Sequence, residues 1–241
     1  MTNYFIDRHA DLSDYIVHPP LLITKILNRF VWRVKTEKKV LYLTFDDGPI
    51  PHLTEKILEL LNSYNAKGTF FCVADNVRKY PEIFETILLN GHAVGNHTFS
   101  HLNGRKTTTQ EYLNDVKIAE KYIKSDLFRP PYGKMKQPQF AALKDKYKIV
   151  LWDIISLDYD KNLSPEKCFR NVRHFARPGS IVVFHDNYKA EINMLYSLKK
   201  TLEHFSNLGY TFEVLTSEII DQSTNEVPQN NKSINLYSTS A

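Results

Sequence analysis

The sequence predicts an α/β fold with about seven parallel strands, enough βα units to curl into a (β/α) barrel, with an open doubly wound sheet as the alternative. Two observations carry that prediction. From Lys38 onward, short runs rich in β-branched and aromatic residues alternate with segments whose apolar residues recur at helical spacing. Ionisable residues also collect directly after the strand runs, where parallel α/β folds gather their chemistry because the loops there converge on one opening.

The strand candidates in order are Lys39–Phe45 (KVLYLTF), Gly68–Val73 (GTFFCV), His92–Asn96 (HAVGN), Asp126–Arg129 (DLFR), Lys148–Ile154 (KIVLWDI), Ser180–His185 (SIVVFH) and Tyr210–Leu215 (YTFEVL). Between them, LTEKILELLNSY places Ile57, Leu58, Leu60 and Leu61 on one side of a helix. Thr108 and Glu111 stand at capping-box spacing, and Ser164-Pro165 marks another helix start. The stretch PPLLITKILNRFVW is apolar on one side but interrupted by Lys25, Asn28 and Arg29. That falls short of the ~20 apolar residues of a membrane span and predicts a helix packed on the domain.

At 241 residues the chain has the length of one sizeable domain. The domain reading is an N-terminal extension over 1–37, a catalytic domain over 38–221 and a polar, disordered tail over 222–241. A net charge of +4 argues against nucleic acid as a partner. The two cysteines, Cys72 and Cys168, lack metal-type spacing and read as unpaired buried thiols. The first fifteen residues hold three Asp and lack a signal-peptide pattern, which predicts a cytoplasmic protein.

Asp46 and Asp47 end the first strand, within TFDDG. Adjacent carboxylates repel and resist burial, so something must hold them. His97 and His101, in HTFSH after the third strand, are four apart and on a helical turn would share a face. Two imidazoles and a carboxylate can hold a divalent ion and leave positions open for water and substrate. Alone, an acidic pair is more often a turn or cap and two His four apart are more often structural. Five motifs ending separate strands of one sheet argue otherwise.

With TFDDG, HTFSH, RPPYG, WDIISLDY and VVFHD in that order, the chain resembles the polysaccharide deacetylases, the NodB-homology group of carbohydrate esterases, from about Val40 to Leu215. The resemblance implies a distorted barrel with a groove, an N-acetylated glycan as substrate, and a divalent ion, zinc first, with cobalt, nickel or manganese as alternatives. It makes Asp46 the general base, Asp47, His97 and His101 the metal ligands, and Arg129 the residue that orients Asp46. Tyr132 offers its backbone N–H to an oxyanion, and His185 is the general acid, made more basic by Asp158. Pro131, Tyr132, Trp152, Tyr159 and Val183 would shape the substrate pocket; Tyr159 and Val183 stand where relatives usually carry Trp and Leu. Two other readings are a hydrolase of a small amide or cyclic imide, and a non-catalytic glycan-binding module with a structural metal. Retention of both a base and an acid speaks against the module.

Overall fold

Strand β1 (Val40–Asp46) is buried along its whole length, which is why it reads as a continuous apolar run rather than an alternating one. It is the spine of the fold in the computed structural model, which describes residues 17–225. Along its upper part it pairs in parallel with β2 (Gly68–Cys72) on one side and β7 (Ile181–His185) on the other. At its start, Val40–Leu41, it pairs with β8 (Thr211–Phe212) instead.

Beyond β2 lie β3 (Ala93–Asn96), β4 (Leu127–Phe128) and β5 (Lys148–Ile149), and beyond β7 lies β6 (Ile154–Ile155), giving the order β5-β4-β3-β2-β1-β7-β6 in a curled, all-parallel sheet. The helices are α1 (Leu21–Ile26), α2 (Leu53–Ser63), α3 (Ala74–Lys79), α4 (Pro81–Leu89), α5 (Thr109–Ala119), α6 (Gln137–Leu143), α7 (Pro165–Phe175), α8 (Glu191–Asn207) and α9 (Ser217–Asn225). The buried apolar faces of α2 and α8 meet the Leu41, Leu43, Phe45 and Phe184 side chains of the sheet in the main core. Both helix-start signals are realised. Thr108 and Glu111 form a reciprocal capping box at α5, and the Ser164 hydroxyl accepts the Lys167 N–H at α7.

Three expectations change. The run KIVLWDI is two strands, because the chain starts beside β4, with Val150 N–H donating to Phe128, and ends beside β7, with Asp153 N–H donating to Ile181. The sheet therefore has eight strands. The N-terminal helix spans Leu21–Ile26 and buries none of its residues; flanking backbone rather than helix packing attaches it. Ile155 N–H donates to Val17, Val31 exchanges bonds with Ile149 and Leu151, and Val34 N–H donates to Gly179. The boundary at 221 falls inside α9, so residues 222–225 continue a helix. The rest of the tail, and the N-terminal stretch used to predict localisation, up to Ile16, lie outside the described residues. No helix among the described residues is long and apolar enough to cross a membrane. Cys72 and Cys168 are buried and unpaired.

Candidate active site and metal centre

The site is built on the carboxyl end of β1 and the loops around it. Asp46 points toward Arg129, whose guanidinium donates to Asp46 Oδ1 at 2.6 Å and to the Thr44 hydroxyl at 2.8 Å. The same guanidinium donates to the carbonyls of Val150 and Leu151 and lies 4.1 Å from the Phe71 ring centroid. A fully buried arginine with all three guanidinium nitrogens donating is a rigid fork, and it fixes the carboxylate it holds.

Asp47 leaves the strand at φ 85°, in left-handed backbone that turns its side chain away from Asp46. The Asn187 amide donates to Asp47 Oδ2 at 2.6 Å, and Asn76 donates to the Asp47 carbonyl at 2.9 Å. That leaves Oδ1 facing two imidazoles, 3.1 Å from His101 Nε2 and 3.7 Å from His97 Nε2. Gly48 is required by space, since a Cβ there would lie 2.0 Å from the Asp186 carboxylate.

His97 and His101 come together without a helical turn. The HTFSH segment is a loop in which Thr98 and His101 take φ 66° and 55°, and the backbone N–H groups of Phe99 and Ser100 both donate to Asp115 of α5. His97 Nδ1 is 2.7 Å from the Arg129 carbonyl, so Nδ1 carries the proton and Nε2 presents its lone pair to Asp47. Burial lowers the His97 pKa to about 4, keeping the ring neutral as a ligand requires. Burial pushes the Asp47 carboxyl up, but the hydrogen bond from His101 and the charge of His185, joined by those of His97 and His101 when protonated, outweigh it and hold Asp47 well below the usual range.

The three donor atoms lie within 4.8 Å of one another. Donors 2.0–2.1 Å from a tetrahedral ion stand roughly 3.4 Å apart. The measured 3.1 and 3.7 Å bracket that spacing, so the residues fit a divalent ion with three protein ligands and an open side.

On the other flank, Asp158 receives both the His185 backbone N–H at 2.9 Å and His185 Nδ1 at 2.7 Å. This directs Nε2 into the cleft. Burial opposes protonation of His185, yet the charge and hydrogen bond of Asp158, aided by Asp47 and Asp46, raise its pKa to about 9. Tyr159 stands edge-on to the imidazole at 4.8 Å.

A cleft of about 690 Å³ opens over these groups, lined by Asp46, Asp47, His97, His101, Tyr132 and His185 among others. Tyr132 takes φ 61°, and Gly133 at φ 64° packs so tightly on Trp152 that a Cβ would lie 2.6 Å from its ring. Trp152 and Tyr159 line the cleft. Val183 and Pro131 do not. Val183 is fully buried beneath Ile155 and Leu157, supporting that wall from behind, and Pro131 is buried at the head of its turn. Asp186, the last residue of VVFHD, is fully buried; its carboxylate accepts the Thr54 hydroxyl at 2.6 Å and burial raises its pKa to about 8.

A peptidoglycan-N-acetylglucosamine deacetylase of Bacillus cereus is 34% identical over 196 residues, covering 78% of this chain and 92% of that protein. The chain belongs to the polysaccharide deacetylase family. The family model described as polysaccharide deacetylase matches residues 33–148, which hold three of the five motifs. A chitooligosaccharide deacetylase of Azorhizobium caulinodans is 32% identical over 64% of this chain and 77% of its own length. The crystal structure of the Bc1960 peptidoglycan N-acetylglucosamine deacetylase superposes with a TM-score of 0.75 at 29% identity, covering 82% of this chain and 95% of that one.

As a polysaccharide deacetylase the chain is a hydrolase of N-acetyl amide bonds, and Asp47, His97 and His101 form a possible centre for the metal on which such deacetylases depend. Sequence reasoning missed Asn187, which follows VVFHD directly, and Asp115, which has no motif around it. It also missed the cleft wall made by Pro19, Pro20, Ile23, Leu27 and Trp32.

Proposed function

We propose that the protein is a metal-dependent N-deacetylase acting on an N-acetylhexosamine-containing glycan or glycoconjugate. One observation carries this reading: a convergent carboxylate and two imidazoles share one cleft with a separate carboxylate, Asp46, held by Arg129, and an imidazole, His185, held by Asp158. Asp47, His97 and His101 would hold a divalent ion, with zinc the best match to two imidazoles and a carboxylate, and when bound it would supply the Lewis acidity that polarises an amide carbonyl and acidifies water.

The remaining work falls to the chain. Asp46, locked by Arg129, accepts the proton from the attacking water. The backbone N–H of Tyr132 donates to the oxyanion as the tetrahedral centre forms, a contribution of about 3 kcal/mol for a well-placed donor. His185, protonated up to about pH 9, gives its Nε2 proton to the departing nitrogen, without which the amine is a poor leaving group. A binding module needs neither Asp46 nor His185 in these roles.

The test is acetate release from N-acetylglucosamine oligomers. Zinc-loaded protein is expected to release acetate and chelated protein to lose activity that zinc restores. Asp46→Asn and His185→Ala should each lower kcat roughly 10²- to 10⁴-fold. Activity indifferent to chelation, or surviving Asp46→Asn, overturns the mechanism.

A further inference from the structure

The cleft has two kinds of lining. Its polar side comes from the strand-end loops, where Arg105, Lys134, Asn187 and Lys189 line the cleft beside the catalytic groups. The other side is Pro19, Pro20, Ile23, Leu27 and Trp32, all N-terminal to residue 33, where the family match begins. None of these five offers a free side-chain hydrogen bond; the Trp32 indole N–H is already given to the Leu27 carbonyl at 3.0 Å. The apolar surface also continues outward from the cleft. Leu21, Leu22 and Ile26 of α1 are 62%, 68% and 69% exposed, on a helix that buries nothing.

A desolvated sugar ring needs partners for its hydroxyls, and an apolar wall whose one indole N–H is already given to Leu27 offers none. An apolar chain needs only contact area. We infer that the substrate is an N-acetylated sugar joined to an apolar chain, a glycolipid, with the sugar at the catalytic groups and the chain laid along residues 19–27 toward α1. The inference rests on the deacetylase reading and deepens it. The wall is continuous with the catalytic cleft, so the same molecule must reach both. It is also pinned in place by the backbone bonds at Val17, Val31 and Val34, so it stands ready before substrate arrives.

The experiment compares methyl and octyl glycosides of N-acetylglucosamine below their micellar concentrations, for zinc-loaded wild type, Ile23→Ser and Ile23→Leu. Ile23 belongs to a helix without buried residues, and circular dichroism checks the fold of each variant. Partial burial of eight carbons is expected to raise kcat/KM for the octyl compound about tenfold over the methyl one. Ile23→Ser should bring that ratio toward one and Ile23→Leu should keep it. Equal rates for the two glycosides, or an octyl advantage that survives Ile23→Ser, overturn the inference. So does tighter calorimetric binding of N-acetylchitotetraose than of the octyl glycoside to zinc-loaded Asp46→Asn protein. Octyl binding that depends on Ile23, with no acetate released from either glycoside, keeps the apolar wall and sinks the deacetylase reading.

Discussion

The strand-end rim and the N-terminal wall face the same cleft but are held in opposite ways. On the rim four working side chains are fixed by another polar group: Asp46 by Arg129, His97 by a carbonyl, His185 by Asp158, Asp47 by Asn187. On the wall only the Trp32 indole has a hydrogen bond of its own, to the Leu27 carbonyl; backbone bonds secure the segment at Val17 and Val31, and the helix between them is exposed. The difference follows from what each surface must do. Proton transfer demands heavy atoms placed within hydrogen-bond reach, whereas apolar contact tolerates loose placement.

The contrast breaks first at Arg129. Arg129→Met leaves the buried Asp46 carboxylate without its cation, so it should cost about 3–5 kcal/mol of stability in denaturant unfolding and most of the acetate release. A variant of wild-type stability would mean that the rim is not braced by this pair. Next comes Asp158→Asn, which keeps an acceptor for His185 Nδ1 but removes the charge. Because His185 acts as an acid, activity falls as pH rises through its pKa, at or below about 9, since a cation on Asp47 offsets part of the help Asp47 gives. The Asn variant should move that alkaline limb to lower pH; an unmoved limb in a pH–rate profile assigns the acid elsewhere.

Asn187→Ala frees one oxygen of Asp47 and should weaken zinc binding roughly 10- to 100-fold in competition with a chelating dye. Unchanged affinity would show that the amide does not position the ligand. The smallest effect belongs to the wall: Leu22→Ser should shift stability by less than about 0.5 kcal/mol, because its side chain is already in water. A loss of several kcal/mol in a thermal melt would place α1 in the core and erase the distinction drawn above.

The rim was legible because strand and chemistry coincide in sequence. TFDDG and VVFHD each end a run of buried apolar residues, so the strand signal and the site signal fall on adjacent letters. The capping box at Thr108 was legible for the same reason, being a contact between residues three apart. The HTFSH geometry was misread, since spacing of four suggests a helix while the loop is held open by Asp115, 15 and 16 residues away. Val183 was placed in the pocket by its motif, but its position on β7 buries it.

The sequence alone determined which residues form the strands, which groups end them and the family to which they belong, because these depend on local periodicity and short motifs. Only the tertiary structure decided that Asn187 steadies Asp47, that one strand run changes partner and becomes two, and that residues 19–32 close one side of the cleft. Those facts are contacts between segments far apart along the chain, and a pattern of period two or 3.6 carries no information about which distant surface a residue will meet.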